Sequence, residues 1–299
     1  MPAPTNLVTP AKTEHYFNDE FVQQVRNTIL ERLELADNNN CDDELIYDRA
    51  DVERLKSNDD WFIRRFLKWT PTSLSDAENV IHQALLWRKS IKINSWNEST
   101  FPAEFYQIAG CFSYLPDMEG HNLIIVRLRI HKKEPNSNQW LETLARHYFI
   151  HVLEQIVSKN PNRGFALIFD CHKASLSNVD LDMARFIIST LSNYYSGAIG
   201  YVCIYELPWI FNQIWRVVRS WLDDEAKKIV KFATISNINE IVDRNNLPDY
   251  MGGTCEKNYR HVPKGAPTLE ELVISNDIFS NRKDIVKMNE HFQKLIKLS

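Results

Sequence analysis

His147 and His151 stand four residues apart, the spacing at which two imidazoles on one helix face can share a zinc ion. Tyr148 takes the place at which a metalloprotease helix carries its glutamate base, so the hydrolytic version of that site has no proton acceptor. The two imidazoles read as surface or satisfied core side chains instead. Asp170, Cys171 and His172 make a second cluster, a thiol between an acid and a base. Neighbours on a strand point to opposite faces, so this thiol and imidazole do not meet as a nucleophilic pair requires. Asp170 reads as the group that ties down the turn after its strand. The glycine-rich dinucleotide and P-loop signatures, the nucleophile elbow and the H-E-x-x-H helix are all absent from the sequence. The expectation is a chain without catalytic residues, metal ligands or cofactor.

The remaining chemistry is cationic. Basic residues gather at Arg127, Arg129, His131, Lys132 and Lys133, at Arg216 and Arg219, and at Lys227, Lys228 and Lys231. Each cluster reads either as a solvated face or as a contact for anionic headgroups. The last two flank an apolar segment, the pairing found where proteins dock on membranes. A net charge of −4 leaves no global basic field, so nucleic acid is not an expected partner. The five cysteines are odd in number, scattered and free of any C-x-x-C, which fits reduced thiols in the cytoplasm. The N-terminus carries no basic region followed by an apolar stretch, and no apolar run approaches the ~20 residues of a membrane span. Membrane work is therefore expected to be peripheral and transient. Eight glycines stand against 8 Trp, 11 Tyr and 15 Phe, a balance suited to a large apolar interior.

These residues need elements to position them. The spacing of Phe17, Phe21, Val25, Ile29 and Leu33 predicts a helix over 14–35. A polar loop follows at 38–43, and a second helical pattern covers 51–67. Ser75 with Glu78 reads as a capping box opening a third helix. Beyond Trp96 the pattern changes. Residues 123–130, 165–170 and 199–205 are short, β-branched or aromatic runs and read as buried strands, with 231–235 a further candidate. Amphipathic helices near 138–158 and 179–195 separate the first three, which implies right-handed parallel crossovers. From Pro208 to Trp221 apolar residues run almost all the way round one helix, which is either wholly buried or faces two apolar environments. A helical tail runs from 268 to the end.

Taken in order, several pieces resemble the CRAL-TRIO, or Sec14-like, lipid-transfer family. Asp60-Trp61-Phe62-Ile63-Arg64-Arg65-Phe66-Leu67 is similar to the family's N-terminal LLRFLRAR helix, and Leu86-Trp87-Arg88-Lys89 to the WR helix that follows. Phe169-Asp170 is similar to its strand ending in aspartate. Leu207-Pro208-Trp209-Ile210-Phe211, Trp215, Trp221-Leu222-Asp223 and Lys228-Ile229 follow its NxPxxF…W…FLD…KI string, and Leu247-Pro248 with Gly252-Gly253 its closing LPxxxGG. Within the family, Asp51–Leu55, Met183–Ile188, Pro208-Trp209 and Met251–Thr254 most resemble motile sperm domain-containing proteins. Those relatives add a VAP-like β-sandwich and a membrane anchor; tethering to the endoplasmic reticulum is not carried over.

The resemblance implies an α/β fold class: an all-helical N-terminal domain, then an α/β domain with a mostly parallel mixed sheet and a helical lid. The expected division is an arm over 1–13, the helical domain over 14–97, the lipid-binding domain over 98–258 and a helical tail over 259–299. It implies one hydrophobic lipid in a closed pocket, exchanged with a membrane surface. Trp209, Phe211, Ile214, Trp215, Val218 and Trp221 form the gate side, and Phe165, Leu167 and Phe169 the floor. Arg216, Arg219, Lys227, Lys228 and Lys231 would meet headgroups or membrane. Phosphatidylinositol carriers have Tyr-Pro-Glu-Arg where this chain reads Tyr195-Ser196-Gly197-Ala198, so the headgroup glutamate is missing. A phospholipid, sterol, tocopherol or retinoid therefore all remain open as cargo. The alternative is a membrane-associated adaptor using the same fold as a docking surface.

Overall fold

The computed structural model describes residues 18–39, 46–57, 59–67, 73–132, 139–159, 163–279 and 281–299. The expected arm, the start of the first helix, most of the polar loop and Lys133 lie outside the described residues.

Four helices come first: α1 (Asp19–Asn39), α2 (Arg49–Lys56), α3 (Asp60–Arg64) and α4 (Leu74–Ser90). Their apolar stripes meet in a core of Val25, Ile29, Leu55, Phe62, Ile81 and Leu85, all buried. The helix expected over 51–67 is interrupted. Ser57 closes α2, and the Asp59 carboxylate accepts the Phe62 amide to open α3. Cap chemistry thus overrides a continuous apolar pattern. The α4 cap is also displaced from its expected place. Ser73, not Ser75, accepts the Asp76 amide at 3.1 Å, and Glu78 turns away to pair with Arg32 at 2.6 Å.

Helix α5 (Ala103–Ile108) leads into a five-stranded sheet: β1 (Cys111–Ser113), β2 (Asn122–Arg127), β3 (Phe165–Asp170), β4 (Ile199–Tyr205) and β5 (Val230–Ala233). Spatial order follows chain order, with β1 antiparallel to β2 and the others parallel. β1 escaped the sequence reading because three residues carry no visible periodicity. The strand expected to reach Ile130 ends at Arg127, where the chain curls into a 3-10 turn. Helix α6 (Gln139–Lys159) crosses from β2 to β3 and α7 (Leu181–Tyr194) from β3 to β4. A 3-10 turn at Trp209–Phe211, α8 (Asn212–Ser220) and α9 (Asp224–Lys228) join β4 to β5. Helices α10 (Leu269–Ser275) and α11 (Arg282–Leu298) complete the chain, α10 opened by a Thr268–Glu271 capping box.

Alternation along the strands sorts their side chains. Leu123, Ile125, Ala166, Ile168 and Cys203 pack against the segment carrying Ile238, Val242, Leu247 and Met251. Ile124, Phe165 and Leu167 face α6 and α7. The helical layer docks on that side. Trp61 donates through Nε1 to the Val157 carbonyl at 2.9 Å, and Trp87 stacks on Tyr194 with ring centres 3.9 Å apart. Gly197 is demanded by this junction, since a Cβ there would lie 2.1 Å from the Arg64 carbonyl oxygen.

Candidate functional site

Beside the packed core, toward the C-terminal ends of the parallel strands, the layers separate around a cavity of about 1090 Å³. Ligand sites in open α/β sheets characteristically form at that end. Val126, Phe169, Val202 and Ile204 supply the sheet wall. Met183, Ile187 and Leu191 come from α7, Tyr148 and Phe149 from α6, and Met288, Phe292 and Leu295 from α11.

Helix α8 closes a further side. Phe211, Ile214, Trp215 and Val218 line the cavity, and no residue of α8 is fully buried. The opposite side of the helix carries exposed Arg216, Val217 and Arg219. The segment expected to be apolar all round is therefore amphipathic, and its aromatic residues are divided among different surroundings. Trp209 is 81% exposed and stands off the wall. Trp221 also lies off it, covered by Arg185, whose guanidinium carbon is 4.6 Å from the ring centre. Trp215 meets Phe232 edge to face at 5.3 Å.

The expected floor divides as well. Of the three β3 residues on this face, Phe169 reaches the cavity, while Phe165 and Leu167 are consumed by packing beneath α6 and α7. The wall from α11, α6 and β1 was missed. The tail's apolar stripe was visible in the sequence, but nothing in it named the surface it would meet.

The basic residues separate by environment. Lys227 pairs with Asp224 at 2.9 Å and Lys228 with Glu225 at 2.7 Å, both one helical turn away. Lys231 sits on the other face of the sheet, its Nζ 4.0 Å from the centre of the Tyr201 ring. Alternation along β5 puts it there, so it is turned from the cavity. Arg216 bonds Gln213 at 3.3 Å on the exposed side of α8. Lys228 also lines the cavity.

The candidate catalytic clusters have structural surroundings. His147 packs on Trp96 and His151 on Phe101, with ring centres 4.7 and 4.8 Å apart. Burial lowers both imidazole pKa values, that of His151 to about 4. Asp170 accepts the His172 amide at 3.0 Å, fixing the turn after β3. Burial pushes the Cys171 thiol up to about 12, opposite to what a nucleophilic thiol needs. Among the described residues no group of three or more metal-ligating side chains converges, and no helix is long and apolar enough to cross a membrane.

Residues 107–253 match the CRAL/TRIO domain. Among individual proteins, the chain is 28% identical to the phosphatidylinositol transfer protein CSR1 of Eremothecium gossypii over 48% of this chain and 33% of the relative. It is 26% identical to the CRAL-TRIO domain-containing protein C3H8.02 of Schizosaccharomyces pombe, over 62% of this chain and 42% of that one. The phosphatidylinositol/phosphatidylcholine transfer protein SFH12 of Arabidopsis thaliana is 25% identical over 67% of this chain and 40% of its own length. The chain thus spans less than half the length of these three curated relatives. The crystal structure of Sfh5 shares the fold, with a TM-score of 0.58 at 15% identity, covering 87% of this chain and 98% of that one.

Proposed function

We propose that the protein binds one lipid in the cavity and exchanges it with a membrane surface, with no chemical step, using α8 as the movable wall. The observation that carries this reading is an apolar cavity of about 1090 Å³ bounded by a helix with no fully buried residue. The cavity's mostly apolar wall favours hydrocarbon over water. Enclosure is what makes exchange competitive. Exposing a 16-carbon chain to water costs about 13 kcal/mol at ~0.8 kcal/mol per CH₂, which an open groove would only partly recover.

On docking, α8 swings outward where the bilayer covers Ile214, Trp215 and Val218, while Arg216 and Arg219 meet headgroups. Lys227 and Lys228 join them by exchanging their local carboxylate partners for phosphate. Relatives named as phosphatidylinositol or phosphatidylcholine transfer proteins support phospholipid as one cargo class. Mass spectrometry of the purified protein under native conditions tests the reading. One co-purifying lipid per chain is expected; protein that emerges empty from every expression host, and takes up none from vesicles, refutes it.

A further inference from the structure

Among the described residues, Tyr148 is the one tyrosine on the cavity wall. The residue is 7% exposed, and its hydroxyl, which makes no hydrogen bond among the described residues, is not sealed off by the packing around the ring. Two neighbouring tyrosines are bonded: Tyr195 donates to Glu154 at 2.6 Å, and half-buried Tyr106 to the Glu98 carbonyl at 3.0 Å. Once hydrocarbon fills the cavity, a phenol left unpaired on its wall costs about 1–3 kcal/mol. A ring of the same shape without the oxygen would have filled this position at no such cost.

The surroundings restrict what can satisfy it. Its ring packs edge to face on Phe101, Phe105 and Tyr106 at 5.3–5.4 Å. Phe105 in turn stacks on Phe292 of α11. Burial is the first reason its pKa stands well above 10, followed by Cys111 and Tyr106, with no charged side chain contributing. The cavity wall carries Arg127, Arg146 and Lys228, but the rings packed on Tyr148 are all aromatic, so a carboxylate or phosphate beside its hydroxyl would lack a charged partner among them. A hydrocarbon alone would leave the phenol unsatisfied. The partner is a neutral oxygen on an otherwise apolar molecule.

We propose that Tyr148 selects the cargo by donating its O–H to an uncharged oxygen of the bound lipid, either an alcohol, as in a sterol, or an ester carbonyl, as in a diacyl phospholipid. This rests on the lipid-binding reading above and adds where the cargo's oxygen is held. The test compares lipids that differ by that oxygen alone: cholestanol against cholestane, and diester against diether phosphatidylcholine, each for wild type and Tyr148→Phe. Wild type should prefer the oxygen-bearing member of one pair by about five- to tenfold, and Tyr148→Phe should abolish that preference. The sterol pair responding identifies an alcohol, the phosphatidylcholine pair a carbonyl. Each comparison is internal to one protein, so a general loss of stability in the variant moves both members of a pair together. A preference the variant keeps, or its absence from wild type that binds the lipids, overturns the assignment alone. Wild type that takes up none of the four overturns the lipid reading with it.

Discussion

Glu154 holds the helical layer to the sheet. Its carboxylate lies 3.3 Å from Arg65 and 3.0 Å from Arg88, and it accepts the Tyr195 hydroxyl. Arg88 in turn grips Asp51 through two bonds of 2.8 and 3.0 Å, so α2, α3, α4, α6 and α7 meet at one ionic cluster. Burial opposes the charged carboxyl, but the two arginines outweigh it and hold its pKa down at about 2. Glu154→Gln leaves the buried Arg65 guanidinium without its anion, while Arg88 keeps Asp51, and should cost about 3–5 kcal/mol. For a chain of this size that lowers the melting temperature by about 10 °C. The pH dependence has a definite sign. The folded carboxyl titrates below its unfolded value of about 4.5, so the unfolded chain binds the proton first. Glu154 therefore contributes fully above that value, and its contribution fades as pH falls toward about 2. Thermal melts across that window should show a steep acid loss in wild type and a shallower one in Glu154→Gln. Equal slopes would show that Glu154 is not the titrating group.

At the scale of elements, α8 acts through its amphipathic character. Its exposed side carries Arg216 and Arg219 while Ile214, Trp215 and Val218 face the cavity. An element of this kind can exchange one apolar partner for another. Trp215→Asp with Val218→Asp should lower lipid transfer between vesicles at least about 100-fold, because each carboxylate entering the bilayer costs about 2.5–3.5 kcal/mol. Circular dichroism should stay unchanged, since both positions are only half-buried. Transfer at the wild-type rate would remove α8 from the exchange step. The strands over 165–170 and 199–205 were legible because buried β-strands have no polar face and so read as unbroken apolar runs. The partition of the gate residues was not. Whether Trp209 or Trp215 faces inward depends on a 3-10 turn preceding the α-helix, which shifts the angular position of every later side chain. Phe165 and Leu167 illustrate the same limit. Strand alternation gives their face, but where the covering helices part from that face is a property of packing.

Across the whole molecule, the cavity is a composite whose wall reaches beyond the segment matched by the family. That match ends at residue 253, yet Met288, Phe292 and Leu295 of α11 line the cavity. The tail is anchored there by two small cores. One joins Leu295, Phe292 and Ile296 to Ile108 and Ile130, and the other joins Leu269, Val273 and Met288 to Trp140, Leu141 and Leu144. A lipid held against this wall would stabilise the tail, and the tail would retain the lipid, since the same contacts serve both. The two faces of α11 make the coupling measurable. Phe292→Asp places a carboxylate against Phe105 and the cavity, whereas Val286→Asp falls on a face already 49% exposed. The first should cut lipid retention during gel filtration by at least about tenfold and render the tail protease-sensitive. The second should change stability by no more than about 0.5 kcal/mol and leave retention alone. Equal retention in both variants would mean that α11 only covers the domain from outside, and that the lipid is held entirely by the sheet, α6, α7 and α8.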